Sequence, residues 1–243
     1  MKMAYYNENN KYAAQWLRNL ITKGLIAPGE VDERSIKEIS PADLNGYSQC
    51  HFFAGIGGWS YALRLAGWSD DRPVWTGSCP CQPYSSQGKG ARQSDERHLW
   101  PDWFRLIREQ SPTVVFGEQV IDAVAAGWLD EVMLNMEDIG YACAAAGLPA
   151  CAASAPHHRK RIWFVCGNTT GNRPATEQNE SVRQDAWTGR IRNESNRWAR
   201  TGYKPDFPLL ANGVPNRMGR LRAFGNAIVP QIAAEFIAAY DEI

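Results

Sequence analysis

Gln49-Cys50-His51-Phe52-Phe53-Ala54-Gly55-Ile56-Gly57-Gly58-Trp59-Ser60, continuing into Tyr61-Ala62-Leu63-Arg64-Leu65-Ala66-Gly67, reads as strand, glycine turn and helix. Glycines at 55, 57 and 58 let the backbone approach a ligand closely and open a helix N-terminus towards it. This is the repeating unit of a doubly wound α/β sheet, whose ligands gather outside the carboxyl ends of the strands. The spacing is not Gly-x-Gly-x-x-Gly, and no phosphate-loop lysine follows. The turn therefore suggests a nucleoside-type cofactor with no pyrophosphate to cradle. Tight turns also use glycine without binding anything, so the rest of the chain has to decide.

Downstream, Val74 and Trp75 lead into Thr76-Gly77-Ser78-Cys79-Pro80-Cys81-Gln82-Pro83-Tyr84-Ser85-Ser86-Gln87-Gly88. This is a buried strand whose end presents one thiol on a constrained loop, with Pro80 and Pro83 limiting the backbone around Cys81. An isolated cysteine of this kind is more often a structural one than a nucleophile. The polar, glycine-containing segment 82–98 that follows is a candidate lid. Trp100 to Ile107 has helical character, and Ser111-Pro112-Thr113-Val114-Val115-Phe116-Gly117-Glu118-Gln119-Val120 is a buried strand running into a carboxylate. Glu118 is then either an acid at the same sheet edge as Cys81 or a cap on the next helix.

Trp128 to Ile139 is a helix, and Tyr141 to Ala153 reads as strand and turn. Pro156-His157-His158-Arg159-Lys160-Arg161 then enters the apolar strand Ile162-Trp163-Phe164-Val165. Alternation along the strand points the guanidiniums of Arg159 and Arg161 to one side, towards an anion or a base edge. From 167 to 210 the chain is polar, with arginines interleaved among Trp187, Trp198 and Tyr203. That mixture suits phosphate contacts and base stacking, and a disordered insertion fits it nearly as well. Phe224-Gly225-Asn226-Ala227-Ile228-Val229-Pro230 leads into a closing amphipathic helix.

Before all of this stands a short unit, 1–45. Tyr5-Tyr6 ends a strand with Asn7-Glu8-Asn9 as its tip, and Lys11 to Ile21 has a helical apolar period. Glu8 is either a solvated loop acid or, at a strand end, a group that holds a nucleotide ribose.

The totals bound these readings. A chain of 243 residues with 44% hydrophobic content supports one α/β domain with at most a small appendage. Twenty-six basic residues balance twenty-six acidic ones, so any nucleic-acid face must be local. Six cysteines in such a chain do not form a disulfide framework, and neither a signal peptide nor a membrane-length apolar run is present. The expectation is a reduced, cytoplasmic, monomeric protein with no membrane contact. Cys79-x-Cys81 with His157-His158 matches no usual zinc spacing, so no metal is expected.

Taken together, the segments resemble the cytosine-C5 DNA methyltransferases. Phe53-Ala54-Gly55-Ile56-Gly57-Gly58 resembles their S-adenosylmethionine turn, and Pro80-Cys81-Gln82 their nucleophile motif. Glu118-Gln119-Val120 resembles Glu-Asn-Val, with Gln119 a departure. His157-His158-Arg159-Lys160-Arg161 resembles Gln-x-Arg-x-Arg, with His157 a departure, and Gly225-Asn226-Ala227-Ile228-Val229-Pro230 resembles the closing motif. The likeness covers about 50–166 and 211–243.

It implies a doubly wound, mostly parallel sheet of the S-adenosylmethionine-dependent methyltransferase type. The catalytic domain would comprise 1–166 and 211–243, with 167–210 a short target-recognition region. Only Trp59 to Ser78 separates the glycine turn from the nucleophile, too little for the family's intervening cofactor-site unit. Residues 1–45 look similar to that unit moved to the front. The link Pro41 to Gln49 reaches roughly 30 Å at about 3.3 Å per residue, enough to cross a neighbouring strand.

By the same resemblance Cys81 attacks cytosine C6, Glu118 acts at N3 and the exocyclic amine, and Arg159 and Arg161 contact the base carbonyl. S-adenosylmethionine would lie against Phe53, Ala54, Gly55, Ile56, Gly57 and Gly58, with Glu8 on the ribose. Ile36, Asn226 and Ala227 would complete its pocket, and double-stranded DNA would present a flipped-out cytosine. A thymidylate-synthase-type enzyme also uses a cysteine on pyrimidine C6 but lacks the glycine turn. The same chemistry on RNA, or a degenerate binding protein, stays open on the residues alone.

Overall fold

The computed structural model describes residues 3–80, 98–125, 127–153, 159–169 and 227–242. Seven strands form one sheet: β1 (Ala4–Asn7), β2 (Gly29–Asp32), β3 (Gln49–Phe52), β4 (Val74–Gly77), β5 (Val114–Val120), β6 (Tyr141–Pro149) and β7 (Lys160–Asn168). Their order is β2-β1-β3-β4-β5-β7-β6. The first five run parallel, while β7 is antiparallel to both β5 and β6. Among the described residues the helices are α1 (Lys11–Thr22), α2 (Gly58–Leu65), α3 (Trp100–Gln110), α4 (Asp122–Ala125), α5 (Trp128–Asp138) and α6 (Pro230–Asp241).

The short parallel strands β1, β3 and β4 are buried on both faces and so show no in–out alternation of burial, whereas the edge strand β2 is partly exposed. On one face, α2 and α6 close a core of Trp59, Leu63, Phe116, Trp163, Ile232 and Phe236. Leu17 of α1 is fully buried in a cluster with Tyr6, Ile26 and Ala54. On the other face, α3 and α5 bury Trp100, Trp103, Trp128 and Met136 over Phe52, Trp75 and Phe164. Truncating a fully buried leucine such as Leu17 to alanine costs about 2–5 kcal/mol. Asn10 starts α1 by accepting the backbone N–H groups of Tyr12 (3.0 Å) and Ala13 (3.1 Å). The αL residue Gly24 (φ +66°) ends it.

Within the first 45 residues, β1 pairs in parallel with β2 on one side and with β3 on the other. The expected acid at the β1 tip, the helix after it and the strand ends before Trp100 all lie where the sequence pattern puts them. After β2 the chain makes a 3-10 turn at Ile36–Glu38, opened by the reciprocal capping box of Ser35 and Glu38.

One expectation is corrected. Cys143 and Cys166 are disulfide-bonded, so the chain is not fully reduced. The two residues face each other directly across β6 and β7, with Cα atoms 4.2 Å apart. Their pairing follows from strand register, which a sequence separation of 23 does not reveal. Cys50, Cys79 and Cys151 are not part of a disulfide.

Candidate active site

Strand register assembles the site. Asp32, Asn7, Phe52, Gly77 and Gly117 stand in one row across β2, β1, β3, β4 and β5. The next residues in each chain direction, Glu8, Phe53, Ser78 and Glu118, therefore line one carboxyl edge of the sheet. Crevices at this edge are where open α/β sheets bind ligands.

At one end stands Glu118, buried within β5 opposite Trp163 of β7. It is a strand residue and not a helix cap. Because side chains alternate along a strand, Arg161 shares the face of Trp163 and reaches Glu118, Nε to Oε1 at 2.8 Å. Burial pushes the Glu118 carboxyl up to about 7. The charges of Arg161 and Arg159, and hydrogen bonds from Arg161 and Ser78, hold it from rising further. Arg159 also donates from Nη2 to the carbonyl of Ala227 at 2.9 Å. Burial and the charge of Arg161 lower the Arg159 pKa, and the charge of Glu118 opposes them. The alternation expected of Arg159 and Arg161 thus does bring both charges to one carboxylate.

Gln119 points to the opposite face of β5. Its Nε2 donates to the carbonyl of Cys79 at 3.1 Å, and its Oε1 accepts the Val120 N–H at 2.9 Å. The departure from the resembled motif therefore ties the acid strand to the backbone two residues before Cys81. Ser78 makes a second tie, accepting the indole N–H of Trp59 at 3.1 Å. Neither contact is foreseeable from sequence, because the first depends on the β4–β5 register and the second on how α2 packs over the end of β4.

At the other end, Glu8 accepts the Gly55 N–H at 2.8 Å and the Asn10 N–H at 2.9 Å. Burial raises its carboxyl, and those two backbone N–H groups pull it back. Glu8 is thus a half-buried loop residue hydrogen-bonded to backbone. Asn7, buried beside it, donates to the carbonyl of Arg34 at 2.9 Å and so fixes the approach to Ser35 and Ile36.

The glycine turn bends sharply: Phe53 (φ +51°), Gly55 (+55°) and Gly57 (+84°) all adopt left-handed backbone. For a bulky residue such as Phe53 this is uncommon and holds the ring half-buried, edge-on to Trp103. Ile56 and Gly58 are half-buried and Ala54 buried. A Cβ at Gly58 would come within 2.7 Å of Ile228 Cγ1, so the start of α2 seats directly on the segment leading into α6.

Ile36 is buried among the core residues under Phe53. Cys81, the 82–97 part of the candidate lid, His157, His158 and Asn226 lie outside the described residues, as does the 167–210 region from residue 170 onward.

A nucleoside cofactor fits what is present. A carboxylate has about four lone-pair positions, and Glu8 uses two on backbone N–H groups, leaving capacity for a ribose diol. The half-buried Phe53 ring offers a stacking surface for a purine. No group of three or more His, Cys, Asp or Glu side chains able to hold a metal occurs among the described residues. No described helix is long and apolar enough to cross a membrane.

Sheet and edge together define a doubly wound α/β domain whose carboxyl side brings a buried acid and two arginines to one end and Glu8 with the glycine turn to the other. The profile of the C-5 cytosine-specific DNA methylases matches residues 69–201, more than half of the chain, and the protein belongs to that family. Its mostly parallel, seven-stranded sheet is of the S-adenosylmethionine-dependent methyltransferase type.

The chain is 27% identical over 168 residues to the Type II methyltransferase M.HhaI of Haemophilus parahaemolyticus, covering 53% of this chain and 51% of that protein. It is 28% identical over 103 residues to the Type II methyltransferase M.AgeI of Thalassovita gelatinovora, covering 41% and 24%. It thus spans about half the length of the first and a quarter of the second. Among solved structures, a Spodoptera frugiperda DNMT2 mutant superposes with a TM-score of 0.49 at 13% identity, covering 72% of this chain and 45% of that one.

Proposed function

We propose that this protein methylates C5 of cytosine in double-stranded DNA, with Cys81 as nucleophile and Glu118 as the acid at N3. The observation that carries this reading is the placement of Glu118. It is buried, raised to about 7, paired with Arg161, and level with the end of the strand that leads into Pro80-Cys81.

Carbon 5 of cytosine is a poor nucleophile until a thiolate adds to C6. Addition forms the Cys81–C6 bond and drives an electron pair towards N3, where a proton from Glu118 neutralises it. With its pKa near the working pH, Glu118 is divided between acid and carboxylate and can both give and take that proton. Arg159 and Arg161 stabilise charge on the base carbonyl and keep the acid in place. The now enamine-like C5 takes the methyl group, loses its proton, and expels Cys81 by β-elimination. S-adenosylmethionine, when bound, supplies an electrophilic methyl group.

Glu8 would hold its ribose, Phe53 its adenine, and the 54–58 turn its remaining backbone-facing surface. Ile36, Asn226 and Ala227 would complete the pocket. Such chemistry requires the cytosine to leave the stack, and segment 82–98 would close over it. We assign residues 1–45 as a cofactor-site unit transposed to the front of the catalytic domain (1–166 and 211–243), and 167–210 as target recognition. The pairing of β1 with β3 supports that assignment.

The test is nucleoside mass spectrometry of DNA from a methylation-free host expressing the chain or its Cys81→Ala variant. 5-Methyldeoxycytidine with the wild type alone supports the reading. Its presence with both would remove Cys81 from the mechanism. Its absence from both, with S-adenosylmethionine still bound, would move the substrate to RNA, and absence of binding would favour a non-catalytic DNA-binding protein.

A further inference from the structure

Ser78 occupies a position that no sequence motif singles out. It follows Gly77, whose register partner in β5 is Gly117, so Ser78 and Glu118 leave adjacent strands at the same level. Its hydroxyl oxygen accepts the indole N–H of Trp59, the second residue of α2, at 3.1 Å. Trp59 itself is buried between the sheet and α6, so its N–H direction is fixed by packing. A hydroxyl has a single proton to give, and an ionised carboxylate can only accept. With the indole feeding its oxygen, the Ser78 proton is left to turn towards Glu118, its neighbour on the adjacent strand, and a hydroxyl so placed favours the charged carboxylate.

The Trp59–Ser78 hydrogen bond and the β4–β5 register thus allow a chain of donors in one direction only, from Trp59 through Ser78 to Glu118. Each step polarises the next, which strengthens a hydrogen bond in a low-dielectric site. Trp59 belongs to the helix that the glycine turn opens, and Gly58 seats that helix on Ile228.

We propose that Ser78 is a positioning residue for Glu118, relaying the orientation of the α2 N-terminus to the acid. It rests on the role given to Glu118 above, but it can be read out without methyl transfer. Ser78 touches neither base nor cofactor in this assignment. It sets the carboxylate's direction and its hold on a proton, and so links the seating of the cofactor turn to the readiness of the acid.

The experiment is a pH titration of the Glu118 carboxyl by difference infrared spectroscopy on the full chain, its signal identified by loss in Glu118→Gln. In Ser78→Ala the protonated signal should persist to more alkaline pH, a proton affinity roughly tenfold higher. Ser78→Thr, which keeps the hydroxyl, should restore the wild-type titration, and Trp59→Phe should shift it the same way but less. Melting curves and S-adenosylmethionine binding verify that each variant is folded.

Where methyl transfer is measured, Ser78→Ala should lower kcat with KM for DNA unchanged and move the alkaline limb of the profile upward. A wild-type titration in Ser78→Ala would overturn the assignment. A shifted titration in a protein that never methylates would overturn the proposed reaction and leave the role of Ser78 standing.

Discussion

Glu8 and Glu118 sit on the same sheet edge, three strands apart, and burial raises both, yet they are held by different means. Glu8 is held by two backbone N–H groups, from Gly55 and Asn10. Glu118 is held by guanidiniums and a hydroxyl. Peptide dipoles fix a position without carrying mobile charge, so the first arrangement suits a group that must stay put while a ligand comes and goes. Side chains of opposite charge move the proton equilibrium, so the second suits a group that must change state. One edge thus carries a carboxylate fixed by backbone and one set by mobile charge, with β3 and β4, the strand that leads to Cys81, between them.

The sharpest way to break this comparison is Glu118→Gln. It should lower kcat by about 10²–10⁴-fold while leaving the S-adenosylmethionine Kd within about twofold, by stopped-flow and calorimetry. Comparable losses in both quantities would mean the two ends are one site. Glu8→Ala should do the reverse, weakening cofactor binding by about 10–100-fold with kcat at saturation little changed.

Gly58→Ala places a methyl group on Ile228 and should lower stability by about 1–3 kcal/mol, read from denaturant midpoints. Asn10→Ala removes the α1 cap that stands beside Glu8, costing about 1 kcal/mol with the same measurement.

The pH dependence sharpens the same contrast. Glu118 keeps its proton in the fold up to about 7, whereas an ordinary glutamate loses it near 4.5. Between those values the native state binds more protons than the unfolded one, so this group makes stability fall as pH rises. The melting temperature of Glu118→Gln should therefore gain on that of the wild type from pH 4.5 to 7. A constant difference across that window would show that Glu118 ionises normally.

Much of this edge could be read before any coordinates. The α1 and α5 periods, the strand into Glu118, and the alternation of Arg159 and Arg161 depend on local patterns that repeat at 3.6 or 2 residues. What escaped was fixed by register. Gln119 finds the Cys79 carbonyl, Ser78 finds Trp59 and Glu118, and Glu8 finds Gly55 only because particular rows of the sheet align. The Cys143–Cys166 bridge belongs to the same class. The 3-10 turn at Ile36–Glu38 escapes for another reason, since a capping box over three residues is shorter than any periodic window. The resembled motifs point to Glu118 and Phe53, but give no hint that Gln119 serves as a strap.

The hydrogen bond between Glu8 and Gly55 joins residues 47 positions apart, and every strand around it is complete by residue 77. During synthesis, β1, β2, β3 and β4 are all available to pair before β5 and the antiparallel β6 and β7 have been made. The turn that joins Glu8 to Gly55 can thus take shape on the ribosome while the segment carrying Glu118 is still to come, and a parallel sheet, ordinarily slow to nucleate, gains an early template for its later half.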